Sequence, residues 1–121
     1  MSELKAIAKS FSYAAKGITL VAREERNFRI QLVIAGLVVI LMLVLGIPAL
    51  EMAVLSLAIA LVLVLELLNS VLERLVDILK PRIHHYVEDI KDMMAGAVLV
   101  ASIAAAVIGF LVFWPYLRIL V

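Results

Sequence analysis

Glu66, Asn69, Glu73 and Asp77 fall at i, i+3, i+7 and i+11 in the stretch LELLNSVLERLVD, Leu65 to Asp77. On a helix, with Glu66 as zero, Asn69 lies at about 300°, Glu73 at about −20° and Asp77 at about +20°. Three acids and an amide thus share one narrow face of a segment that is apolar apart from Ser70 and Arg74. Carboxylates so placed suit two tasks. One is taking a proton from a hydroxyl, as a general base does. The other is holding Mg²⁺, which usually takes one or two carboxylates plus substrate phosphate oxygens. The flanks of two other segments carry matching groups. AREERNFR places Glu24 and Glu25 just before one apolar run, and DIKDMMAGA places Lys91 and Asp92 just before another. A lysine offers phosphate a point charge, and the small residues Ala95 to Ala97 let a backbone or ligand come close. The set is what a magnesium-bound polyphosphate meeting a lipid headgroup requires.

The elements that must position these groups are apolar. Of 121 residues, 66% are hydrophobic, and mean hydropathy is +1.18, which points to the bilayer before any soluble fold. Net charge is +1, so no basic field argues for nucleic acid, and the absence of Cys excludes disulfides, thiolate zinc sites and thiol catalysis. Ile30 to Ile47 holds no charge, Met52 to Leu72 is interrupted by Glu66 and Asn69, and Met93 to Leu117 is uncharged. Crossing about 30 Å of hydrocarbon takes roughly 20 residues, and backbone polar groups must pair internally there. Three transmembrane helices are therefore expected, over about 30–47, 50–73 and 92–116. With 29 residues and six basic side chains ahead of it, and no small-residue cleavage site after it, the first reads as a retained span rather than a signal peptide.

Orientation follows from Lys and Arg. Six precede the first span, four lie in or beside the loop between the second and third, and only Arg118 follows the third. The N-terminus and second loop are therefore expected in the cytoplasm and the C-terminus outside. Before the first span, Leu4, Ile7, Phe11, Ala15 and Ile18 share a helical face, with Lys5, Lys9 and Lys16 about 100–140° away. This predicts an amphipathic surface helix over about 2–28, its lysines toward anionic headgroups. The whole chain, 1–121, reads as one all-α membrane domain.

Plainer readings stand beside these. Glu73 and Asp77 suit a solvated helix end, Glu24 and Glu25 suit surface pairing with Arg23, Arg26 or Arg29, and Glu66 with Asn69 suits a polar clasp between helices. His84 and His85 would point apart on a helix and are expected in a loop, so no metal role is expected of them. Trp114 and Tyr116 fit an outer interfacial belt. Yet several ionisable groups on one stripe of a span mark a functional site by default. Glu66 lies eight residues before Arg74, about 12 Å along the axis. That is below the surface but short of the midplane, where a partly desolvated carboxylate suits a general base. No P-loop, soluble protein-kinase loop, G-x-S-x-G or H-E-x-x-H occurs. Two rival classes fit some of these features. A small ion-coupled transporter shares the membrane glutamate, but usually has four spans and a midplane acid. An accessory membrane subunit would use Asn69 and Glu66 as helix glue.

ELLNSVLERLVD and IKDMMAGAVLV, preceded by YAAKGI and EERNFRIQ, resemble the small prokaryotic diacylglycerol kinase family, which includes the undecaprenol kinases of Gram-positive bacteria. The resemblance runs from about Lys9 to Ile108. It implies a homotrimer of three-span protomers, each with an N-terminal surface helix, in the bacterial inner membrane. It also implies transfer of the γ-phosphate of MgATP to a membrane lipid hydroxyl at the cytoplasmic face: diacylglycerol giving phosphatidic acid, or alternatively undecaprenol. By the same resemblance Glu66 matches the catalytic base at the lipid substrate, and Glu25 and Glu73 the metal-binding glutamates. Tyr13, Lys16, Glu25, Asn69, Glu73, Lys91 and Asp92 match the ATP-binding set. Val71-Leu72 stands where Ala-Ile is usual, and Ala6 where some members have a basic residue. EERN looks more like the Gram-positive type.

Overall fold

In the computed structural model, which describes residues 2–80 and 84–121, four helices follow in order: α1 (Glu3–Glu24), α2 (Arg26–Leu45), α3 (Ala49–Leu79) and α4 (His84–Leu120). No strand occurs among the described residues. The side chains of His84 and His85, and Arg82, one of the basic residues behind the expected orientation, lie outside them. Helices α2, α3 and most of α4 are long and apolar enough to cross a membrane.

Ser2 caps α1, its hydroxyl accepting from the Lys5 N–H at 3.3 Å. The helix stops at Glu24, short of the end expected near residue 28, because Glu25 turns extended (φ −107°, ψ 109°) and α2 begins at once at Arg26. The break is sealed by Arg29, whose Nη1 donates to the carbonyls of Ala22 at 3.0 Å and Arg23 at 2.8 Å. These are carbonyls that a helix end leaves without an internal partner. Helix α2 ends at Gly46 in the left-handed conformation (φ 60°, ψ 44°), where glycine carries no Cβ penalty. Pro48 then opens α3, lacking only an N–H that the first turn does not use.

Both α3 and α4 run beyond the spans expected of them. At 31 and 37 residues they reach about 46 and 56 Å at 1.5 Å per residue, more than the hydrocarbon needs. Their excess projects past one face and carries the polar groups with it. The two pack antiparallel, the most extensive helix contact in the fold. Tyr116 Oη donates to Glu51 Oε2 at 3.2 Å at one end, and Lys91 Nζ to Asp77 Oδ1 at 3.1 Å at the other. Both pairs give the same register, which sets Glu66 level with the buried Ala101. The core lies toward the Gly46 end, where Met42, Ile47, Leu55 and Phe113 are buried together. Elsewhere Leu37, Leu43, Leu57 and Phe110 face outward, the inverse of a soluble fold and the arrangement lipid requires.

Candidate active site

Counting about 20 residues from Ala49 places the far edge of the hydrocarbon near Leu68. Glu66 thus sits just inside that edge, Asn69 on it, and Glu73 and Asp77 beyond. Only 4% of Glu66 is exposed, and its Oε1 is buried with no hydrogen-bond partner among the described residues. A buried carboxylate oxygen without a partner costs free energy that the fold does not recover locally. A polar clasp between helices would have satisfied it, so the helix-glue reading of Glu66 loses its main support.

Two further acids bear on Glu66: the charges of Glu25 and Glu73 both act on its carboxyl, so three glutamates from two helical segments converge. Glu25 reaches the cluster because of the break between α1 and α2. It occupies the N-cap of α2, yet its side chain makes no capping hydrogen bond and is half-buried, with no hydrogen-bond partner among the described residues. Glu73 lies two turns beyond Glu66 on α3, and Asn69 Nδ2 donates to its Oε1 at 3.4 Å, a long contact. Lys91 comes from α4 and pairs with Asp77, while the charge of Glu73 also acts on its ammonium. Asp92 is exposed on the outer side of that turn. Among the described residues no three His, Asp or Glu side chains form a ready metal cage. Two carboxylates with the remaining ligands supplied by phosphate need none.

Tyr13 and Lys16 are not brought to the cluster within one chain. Both are exposed on α1, Tyr13 lying about 18 Å along the helix from Glu25. Tyr13 instead has the Lys9 ammonium 5.9 Å from its ring centroid, within cation–π range.

Three contacts escaped the sequence reading. Glu24 pairs with Arg74 of α3, not with the neighbouring arginines. Arg29 caps α1 rather than pairing with Glu24 or Glu25. Tyr116 bonds Glu51, a partner the expected interfacial belt did not supply. The first and last join residues 50 and 65 positions apart, beyond the reach of any local pattern.

Comparison with known proteins identifies the family of the chain. The prokaryotic diacylglycerol kinase family model matches residues 12–113. The chain is 36% identical over 116 residues to an undecaprenol kinase of Bacillus subtilis, covering 96% of this chain and 94% of that one. It is 42% identical over 101 residues to a diacylglycerol kinase of Synechocystis sp., covering 83% of this chain and 58% of that longer one. It is 31% identical over 110 residues to the diacylglycerol kinase of Escherichia coli, covering 91% and 90%. Glu25, Glu66, Asn69, Glu73 and Lys91 all fall inside the matched span. The chain belongs to the prokaryotic diacylglycerol kinase family.

Proposed function

We propose that this chain is an integral-membrane lipid kinase that moves the γ-phosphate of MgATP onto the hydroxyl of a membrane lipid, with diacylglycerol as acceptor and phosphatidic acid as product. The observation that carries this reading is Glu66: a buried carboxylate with an oxygen unpartnered among the described residues, near the end of an apolar helix long enough to cross a membrane. Undecaprenol is the alternative acceptor, favoured by the near full-length match to a relative bearing that name.

Each group takes a role fitted to its place. The lipid stays in the bilayer and offers its hydroxyl to Glu66, which accepts the proton as the oxygen attacks the γ-phosphorus in line. The bond from the γ-phosphorus to the bridging oxygen breaks, and ADP leaves toward the cytoplasm. Glu25 and Glu73, half-buried on separate helices, are the residues that would hold Mg²⁺; the ion would neutralise phosphate charge. Asn69 orients Glu73 by its hydrogen bond. Lys91 and Asp92 meet the nucleotide beyond the interface, and Tyr13 and Lys16 extend that contact from α1. Such catalysis is mainly positioning plus electrostatics.

A single protomer leaves Tyr13 and Lys16 far from the acids, which supports a homotrimer in which neighbouring subunits share sites. The exposed apolar face of α1 supports its lying on the inner leaflet, with the N-terminus and active site cytoplasmic. Purified protein in detergent, given γ-labelled MgATP and either lipid alcohol, tests the reading. Label in phosphatidic acid or undecaprenyl phosphate is expected, and its partition between them names the acceptor. No label in lipid with either alcohol overturns the assignment.

A further inference from the structure

Glu25 and Glu73 are held by different helices, and among the described residues no hydrogen bond joins either helix to the other through them. Something must set their separation, because a carboxylate pair displaced by an ångström holds a cation and a polyphosphate poorly. The adjacent residues supply the link. Glu24 immediately precedes Glu25, Arg74 immediately follows Glu73, and Glu24 pairs with Arg74 across the gap. Consecutive residues on a helix point about 100° apart. The ion pair therefore ties the backbones at residues 24 and 74 while leaving the Glu25 and Glu73 carboxylates unengaged by it.

The other restraints on the break agree. Arg29 fixes the bend by chelating the last carbonyls of α1, the Glu25 N–H donates to Val21 O at 2.8 Å, and Phe28 is fully buried one turn into α2. These set the angle between α1 and α2. They do not set the distance from α1 to α3, since α1 otherwise touches α3 little. Only the Glu24–Arg74 pair, among the described hydrogen bonds and ion pairs, spans that gap.

The geometry points to Glu24 and Arg74 as positioning residues: their ion pair registers Glu25 against Glu73 and so sets the affinity of the site for a metal-bound polyphosphate. This rests on the kinase reading above. Both partners are about half exposed, at 53% and 45% of their side chains. An exposed pair adds little to overall stability, and its coupling energy caps the effect at roughly fivefold. A role in registration therefore appears in substrate binding rather than in folding.

The test is a double-mutant cycle on the full chain. Arg74→Ala and Glu24→Ala are each expected to raise the apparent KM for MgATP by up to about fivefold with kcat little changed. The double variant should be no worse than either single one, Arg74→Lys should restore most of the affinity, and high salt should narrow the gap to wild type. Unchanged KM in the single variants, or fully additive losses in the double, overturns the proposal. A readout independent of turnover accompanies it. Because the chain has no Cys, spin labels at Leu20→Cys and Ile78→Cys, diluted with unlabelled protein, report the spacing from α1 to α3. Arg74→Ala should broaden that distance distribution, and an unaltered distribution contradicts the registering role. If wild-type protein phosphorylates no lipid alcohol, the kinase reading fails by itself, and the distance measurement still decides whether the pair holds α1 to α3.

Discussion

Asn69→Ala removes the amide that donates to Glu73 but leaves both glutamates in place. At 3.4 Å the bond is weak, so the expected cost is about 1 kcal/mol, a roughly fivefold rise in apparent KM for MgATP. Steady-state kinetics on the purified variant checks it. Lys91→Met goes further, since it removes a full charge from the side proposed to meet the nucleotide, and is expected to raise that KM by roughly tenfold or more. Its partner Asp77 is exposed, so the melting temperature should barely change. The residue scale is where the sequence was most informative. Helical periodicity alone put Glu66, Asn69 and Glu73 on one face, and the Asn69–Glu73 bond is a local i, i+4 contact. What periodicity could not supply was the partner of a charge on another helix, which is why Arg74 and Glu24 went unnoticed as a pair.

At the scale of elements, the link Gly46–Pro48 was legible because glycine and proline signal a stop and a start by their backbone limits. Gly46→Ala is expected to cost about 1 kcal/mol through the left-handed φ of 60°. The thermal midpoint should fall while kcat holds, because the turn lies at the far end of the bundle from Glu66. The break at Glu25 was not legible. No glycine or proline marks it, and its seal comes from Arg29, a side chain that nothing in the sequence distinguishes from a surface charge. Hydropathy reports where the hydrocarbon is expected to stop, whereas the helices α3 and α4 run past the expected spans, with polar residues that keep the helix hydrogen bonds intact. Tyr116→Phe, which leaves Glu51 without its donor, should lower the melting temperature without changing turnover.

At the scale of the whole molecule, the proposal puts water-soluble and lipid-soluble reactants on either side of one boundary. Helices α2, α3 and α4 supply the depth, and the break between α1 and α2 returns a carboxylate to the same level as Glu73. That three segments are apolar and helical followed from composition and length. Which outward faces meet lipid and which would meet a neighbour in the proposed homotrimer did not follow, because outward-facing leucines serve either purpose. The charge bias of the loops predicts the orientation. With single cysteines at Ser12 or Val121, an impermeant maleimide applied to intact cells should label the second and spare the first.

The central claim is that a desolvated carboxylate on α3 takes the proton of a lipid hydroxyl while acids on two helical segments receive the phosphate donor. Turnover by Glu66→Gln tests it most directly, with labelled MgATP and the preferred lipid alcohol. The substitution keeps shape and burial but removes the base, so kcat should drop by roughly 10² to 10⁴ while KM for MgATP stays within a few-fold and the melting curve is preserved. Turnover near the wild-type rate in a folded Glu66→Gln protein would contradict the account.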